Sequence, residues 1–338
     1  MLRIRSNTQR LGRLLATLTA PEDDVATPPI LLIHGLGGGT WGWEPFQTYF
    51  AQRGYRTFAV ELPGHGADCA TTDCATYSVE TYALHVAACL PELGPCIVVG
   101  HSMGGLVAQK LAETHPQRGY VFLASAPPWH MFRRAYRPMW RHLLRHPWRE
   151  VLAPSLGRPL LLDHTLQDHL VNNRLPESLR GAVYLKDVPD SGRASFQMVL
   201  GLVSVDRARI SSPCLVVGGA DDRLIPAEEQ RRLADFYQCP LQLHDAAHML
   251  MLEDGWSRVA DGILGWVAGL VPAESAEVAR PPFAWVAPVG RSEAGLRLPA
   301  GDARSAQGIC ELPPPVAEAV PAPVKAGKLQ LCERELAS

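Results

Sequence analysis

The run Gly100-His101-Ser102-Met103-Gly104 follows the apolar pair Val98-Val99 and leads into Gly105-Leu106-Val107. A serine on a sharp strand-to-helix turn is held in a strained backbone conformation, and small neighbours let its hydroxyl stand clear above a sheet. Such a hydroxyl can attack a carbonyl, but at neutral pH it is weak and needs a base within hydrogen-bonding reach. Of the twelve histidines, His248 fits that role best. It lies in a loop after the last recognisable strand and before the closing helix, beside the apolar residues Ala247, Met249, Leu250 and Met251. His101 adjoins the serine, but the turn aims its side chain elsewhere, and packing is its expected role. His34 and His65 sit in turns, and His244 follows a strand without a face assigned to it.

A histidine base needs an acid to fix its tautomer and to stabilise the imidazolium. The segment Gly218-Gly219-Ala220-Asp221-Asp222-Arg223-Leu224-Ile225-Pro226 supplies two adjacent candidates, Asp221 and Asp222. The chain order Ser, Asp, His is one of the known orders of this constellation. The oxyanion that develops during attack needs backbone N–H donors placed in advance. Met103 can give one from the start of a helix. Leu36 is the first choice for the other, and Gly37 the second, in the run His34-Gly35-Leu36-Gly37-Gly38-Gly39. That run lacks both the G-K-[ST] ending and the G-x-G-x-x-G spacing of nucleotide-binding loops.

Short apolar runs that alternate with longer amphipathic stretches must position these residues, which is the pattern of a mostly parallel sheet covered by helices. Strands are expected at residues 30–33, 56–60, 96–99, 120–124, 215–217 and 241–243. Helices are expected at 43–53, 79–90, 106–114 and 256–270, with another beginning at Pro226. Alternation within residues 2–6 and again from Leu11 predicts an opening hairpin turning at Asn7-Thr8. The fold class is therefore α/β, in four parts: core residues 1–126, a helical cap at 127–211, core residues 212–270, and a Pro/Ala-rich tail at 271–338 expected to be disordered. Within the cap, Trp129, Phe132 and Trp140 are candidate substrate contacts, joined by Met249 from the core. The arginines Arg133, Arg134, Arg137 and Arg141 can face water, an anionic substrate head or a membrane surface.

The chain has 338 residues, a formal net charge of -2 and an estimated pI of 6.6, so the basic excess of a nucleic-acid binder is missing. No apolar run approaches the ~20 residues of a spanning helix. The eight cysteines show no metal-ligand spacing. Cys89, Cys96 and Cys214 read as core residues, and Cys69 and Cys74 share a loop short enough for a bridge. An intracellular, cytoplasmic protein without metal or cofactor is expected.

Together, these motifs closely resemble the α/β-hydrolase superfamily over about residues 30–270. The resemblance is carried by His34-Gly35-Leu36-Gly37, Leu62-Pro63-Gly64-His65-Gly66, Gly100-His101-Ser102-Met103-Gly104-Gly105, the stretch 219–226 and Ala247-His248-Met249. It implies Asp222 as the acid, four residues before Pro226, and a cap between the sixth and seventh core strands. Within the superfamily it looks like the esterase and lysophospholipase-like members, including the monoacylglycerol lipases. The implied activity is cleavage of a small-molecule carboxylic ester or thioester with an apolar acyl group, through an acyl-enzyme on Ser102. Peripheral membrane contact is compatible with this. Alternatives are acyl transfer or carbon–carbon bond hydrolysis on the same residues, though carbon–carbon hydrolases usually carry Trp where this chain has Met249. A non-catalytic binding protein is a further alternative from a different class.

Overall fold

The computed structural model describes residues 2–23, 25–66, 74–131, 158–161 and 163–270. Eight strands form one sheet: β1 Ile4–Leu11, β2 Leu14–Pro21, β3 Ile30–Ile33, β4 Thr57–Val60, β5 Ile97–His101, β6 Gly119–Leu123, β7 Cys214–Gly219 and β8 Leu241–His244. Their order across the sheet is β1-β2-β4-β3-β5-β6-β7-β8. The hairpin β1–β2 is antiparallel and joins β4 antiparallel, and every pairing from β4 to β8 is parallel.

The central strands are apolar on both faces, as a parallel sheet covered on both sides requires. Along β3, Ile30 and Leu32 enter one core cluster while Leu31 and Ile33 enter the other. On the first face lie α1 Glu44–Ala51, through Phe46 and Phe50, and a C-terminal helix, Trp256–Leu270, through Val259, Ile263 and Val267. The opposite face is covered by α2 Val79–Ala87, by α3 Met103–Ala112 and by a helix at Ala227–Tyr237.

Two boundaries differ from the sequence expectation for physical reasons. The hairpin turns at Gly12-Arg13 instead of Asn7-Thr8, which pair with Leu18 and Thr17 inside the ladder. Gly12 has φ +56°, and an added Cβ there would stand 2.8 Å from the Ala88 carbonyl oxygen, so the turn needs glycine. Helix α3 begins at Met103, directly after the serine, three residues earlier than its apolar periodicity indicates. Gly104 is there for contact, since a Cβ on it would fall 2.3 Å from the His34 carbonyl oxygen.

Between β6 and β7 the described residues form α4 His164–Leu170, α5 Glu177–Tyr184 and α6 Gly192–Val199. An isolated antiparallel bridge links Leu160 to Asp190. The helices already named at Ala227–Tyr237 and Trp256–Leu270 are α7 and α8. Residues 132–157 and 271–338, with Phe132, Trp140, the cap arginines and the expected tail, lie outside the described residues, as does Cys69.

Candidate active site

Ser102 sits at the junction of β5 and α3 with φ 54° and ψ -117°. This is a backbone region that costs of order 1–3 kcal/mol for a residue with a side chain and persists only where the surroundings impose it. They do so here: the Ser102 amide donates to the Leu123 carbonyl at 3.1 Å, and its own carbonyl accepts from the Ala126 amide at 3.0 Å. Ser102, His101, His248, Leu36, Gly37 and Met249 all line one cavity, roofed by α4, α5 and α6.

His248 is buried, and its Nδ1 donates to Asp222 Oδ2 at 2.8 Å. The other oxygen of Asp222 accepts from the Leu224 and Ile225 amides at 2.9 and 2.8 Å, which fixes the carboxylate in plane and orientation. The tandem aspartates therefore separate cleanly. Asp222 is buried against the histidine, whereas Asp221 is exposed and accepts from Arg174 at 2.8 Å.

Three further contacts hold the histidine's backbone. His101 Nε2 donates to the His248 carbonyl at 2.9 Å, so the residue beside the serine braces the residue opposite it. Burial, and then the nearby His248 ring, push the His101 pKa down to about 3, which keeps it a neutral donor. Glu253 accepts from the Ala247 amide at 2.6 Å and from the Met249 amide at 2.9 Å, gripping the chain on both sides of the histidine.

The loop after β3 is fixed as firmly. The Leu62 amide donates to His34 Nε2 at 3.0 Å, so His34 carries its proton on Nδ1 and donates it to the Gly35 carbonyl at 2.9 Å. Burial is the main reason that its pKa falls to about 4. The Gly37 amide donates to Asp190 Oδ2 at 2.8 Å, so this second candidate for the oxyanion is already engaged. Among the described residues, the Leu36 and Met103 amides have no protein acceptor. Of the three candidate donors, Leu36 in the loop and Met103 at the start of α3 thus remain.

Of the candidate substrate contacts, Met249 lines the cavity, but Trp129 does not. Trp129 is 58% exposed, so the expectation that it roofs the cavity is corrected. Among the described residues, the cavity's apolar lining comes from Trp41, from core residues such as Leu224 and Ile225, and from aliphatic cap residues including Leu160, Leu166, Leu170, Val183 and Val199. Sequence reasoning missed Glu253 and Asp190. Neither stands in a motif: Glu253 holds backbone amides, and Asp190 holds two amides together with the Tyr82 hydroxyl and the His65 ring, all brought to it only by the fold. Among the described residues, no group of His, Cys, Asp and Glu could hold a metal, and no helix is long and apolar enough to cross a membrane.

A family model described as the alpha/beta hydrolase family matches residues 30–262. The chain belongs to the alpha/beta hydrolase family. It is 39% identical over 102 residues to a pimeloyl-[acyl-carrier protein] methyl ester esterase of Aeromonas hydrophila, a match covering 30% of this chain. The aligned part spans only 39% of that relative's length. Similarity at 25% identity extends over 218 residues to a 2-hydroxy-6-oxononadienedioate/2-hydroxy-6-oxononatrienedioate hydrolase of a Pseudomonas species, covering 59% of this chain and 73% of the relative. Among solved structures, a monoacylglycerol lipase of Paleococcus ferrophilus superposes with a TM-score of 0.56 at 22% identity, over 76% of this chain and 99% of the other. At that identity the likeness bears on the fold alone, which for this hydrolase is a mostly parallel eight-stranded sheet flanked by helices.

Proposed function

We propose that this alpha/beta hydrolase is a serine enzyme that cleaves a small carboxylic ester or thioester through an acyl-enzyme on Ser102. The observation that carries the reading is one cavity walled by both Ser102 and His248, with Asp222 hydrogen-bonded at 2.8 Å behind the histidine. Ser102 Oγ attacks the carbonyl carbon while His248 Nε2 takes the hydroxyl proton. Asp222 holds the imidazole in the tautomer that leaves Nε2 free to do so. The negative charge that develops on the carbonyl oxygen meets the Leu36 and Met103 amides, neither of which has a protein acceptor among the described residues. His248 then returns the proton to the leaving group, and in the second half it activates a water that releases the acid. Water is the second reactant, so the scheme uses no cofactor.

The described part of the cap, from Leu160 to Val199, lines the cavity mostly with apolar side chains, which favours an apolar acyl group. The buried, unpaired thiols of Cys89, Cys96 and Cys214 accord with a reducing compartment, and we place the reaction in the cytoplasm. Labelling of the purified chain with a fluorophosphonate, lost in Ser102→Ala, tests the scheme; a wild type that takes up no label would exclude it. A second reading, hydrolysis of a carbon–carbon bond, is favoured by the similarity to the 2-hydroxy-6-oxononadienedioate hydrolase. It requires turnover of such a dienedioate faster than of any simple ester.

A further inference from the structure

Asp190 lies in the cap just ahead of α6 and is fully buried. A carboxylate has about four lone-pair sites, and here four donors from four parts of the chain meet its two oxygens. Oδ1 accepts from the Tyr82 hydroxyl of α2 at 2.8 Å and from the Ser191 amide at 2.5 Å. Oδ2 accepts from the Gly37 amide at 2.8 Å and from His65 Nε2 at 2.9 Å. A carboxylate saturated in this way has no site left for a substrate proton, so its work is to hold things in place.

We infer that Asp190 is a positioning residue: by gripping the Gly37 amide it sets the direction of the neighbouring Leu36 amide and locks that loop to the cap above Ser102. The inference rests on the hydrolase reading, in which the Leu36 amide receives the oxyanion. Gly37 has φ +66°, and the Gly38 amide closes a tight turn onto the Gly35 carbonyl at 3.1 Å. In so short a turn, the orientation of one peptide plane follows from what anchors the next. The anchor for Gly37 is Asp190. The backbone of Asp190 in turn pairs with Leu160 in both directions at 2.9 Å, and Leu160 lines the cavity. One residue therefore fixes both the loop that carries the amide and part of the roof over the acyl group. His65 keeps Asp190 ionised: its Nδ1 faces the Leu62 and Pro63 carbonyls while its Nε2 faces the carboxylate, so both ring nitrogens meet acceptors.

The test uses the full-length chain and an ester that the wild type turns over. Removing an oxyanion donor outright costs 10²–10³ in kcat, so loosening one through Asp190→Asn should cost about 10- to 100-fold. KM should stay within about threefold, because the interaction lost belongs to the transition state. A trifluoromethyl ketone, which becomes tetrahedral on Ser102, should lose affinity by the same factor as kcat, while an unreactive amide of the same shape should bind as before. Tyr82→Phe removes one donor and keeps the ring in the core. It should show the same split at roughly 3- to 10-fold, and it decides alone if Asp190→Asn does not fold. Unchanged kcat in the variants that fold, or a loss confined to KM, overturns the inference while leaving the hydrolase reading intact. A wild type that turns over no ester and takes no fluorophosphonate on Ser102 removes the hydrolase reading, and this inference with it.

Discussion

The carboxylate of Glu253 accepts the amides immediately before and after His248, at 2.6 and 2.9 Å, so a residue five positions along the chain sets where the imidazole stands. Burial raises its pKa, and the two amides oppose that rise. Glu253→Gln keeps the shape but turns a side-chain N–H₂ toward one of those amides, leaving a buried donor unsatisfied. Such a loss costs about 1–3 kcal/mol. We expect the thermal midpoint to fall and kcat to drop roughly tenfold, since misplacing a base by a small distance is costly. A kcat equal to that of the wild type, with only the midpoint lowered, would make Glu253 purely a matter of stability.

The two adjacent aspartates give a sharper contrast. Asp222→Asn can present an N–H to His248 and favour the wrong tautomer, and an equivalent change in a serine protease lowers kcat by about 10⁴. Asp221→Asn disturbs only an exposed contact with Arg174, a cation that also meets the exposed Asp245. Exposed pairs of this kind contribute about 0–1 kcal/mol, so kcat should change by less than about threefold. Comparable losses in the two variants would mean that the Asp222–His248 hydrogen bond does not carry the chemistry.

The contrast between these pairs of residues also shows what a sequence can and cannot reveal. The segments that hold Ser102, the Asp221-Asp222 pair and His248 were legible because each stands at the end of a strand with its own signature, and the parallel sheet brings strand ends together. The choice of Asp222 over Asp221 came from the family resemblance alone. The alternating strands and helices were legible for a related reason: a two-faced apolar strand such as Ile30–Ile33 has few other uses. Glu253 and Asp190 were not legible, because the amides and, for Asp190, the Tyr82 hydroxyl and His65 ring that they bond come together only in the fold. The hairpin turn was misread because Asn7-Thr8 has turn-forming residues, whereas Gly12 is demanded by a carbonyl 76 residues further along, that of Ala88. Trp129 looked like a pocket residue from its size, yet the aliphatic residues of α4, α5 and α6 take that role.

Acid should unfold this hydrolase through its buried neutral histidines. The pKa of His101 is lowered to about 3 and that of His34 to about 4, in both cases chiefly by burial. In the unfolded chain both return to about 6.5. The stability that their neutral forms contribute is thus fully present above about 6.5 and is withdrawn as pH falls toward the folded values, because the unfolded state takes up protons that the folded state refuses. His65 has the opposite sign. Burial opposes its charge, but Asp190 outweighs that and raises its pKa, so its contribution is present below about 6.5 and is lost as pH rises through the folded value. His101→Gln retains a donor for the His248 carbonyl and removes one titration. Its thermal midpoint should decline less than that of the wild type between about pH 6.5 and 4. Parallel declines, followed by calorimetry across that range, would show that His101 does not drive the acid transition.

The cavity's composition sets the expected substrate preference. Among the described residues, its cap side is mostly aliphatic, through Leu166, Leu170, Val183 and Val199 with the polar Gln167, Asn172, Asp187 and Ser195 beside them, and Leu224, Ile225 and Met249 line it from the core. Each methylene transferred from water to such a wall contributes about 0.8 kcal/mol when fully buried. The six methylenes that separate acetyl from octanoyl therefore set a ceiling of about 5 kcal/mol, of which imperfect contact and chain ordering take a share. A rise in kcat/KM of at least about 30-fold from acetyl to octanoyl nitrophenyl esters is expected. Val183 is 7% exposed and lies on α5, distant in sequence from the residues assigned to the chemistry. Val183→Phe fills part of the volume a long chain would occupy. It should reduce octanoyl turnover about tenfold or more while leaving acetyl turnover within about twofold. Wild-type preference for acetyl, with octanoyl esters nearly inert, would mean that the aliphatic wall packs the cap against the core and that the acyl group lies elsewhere.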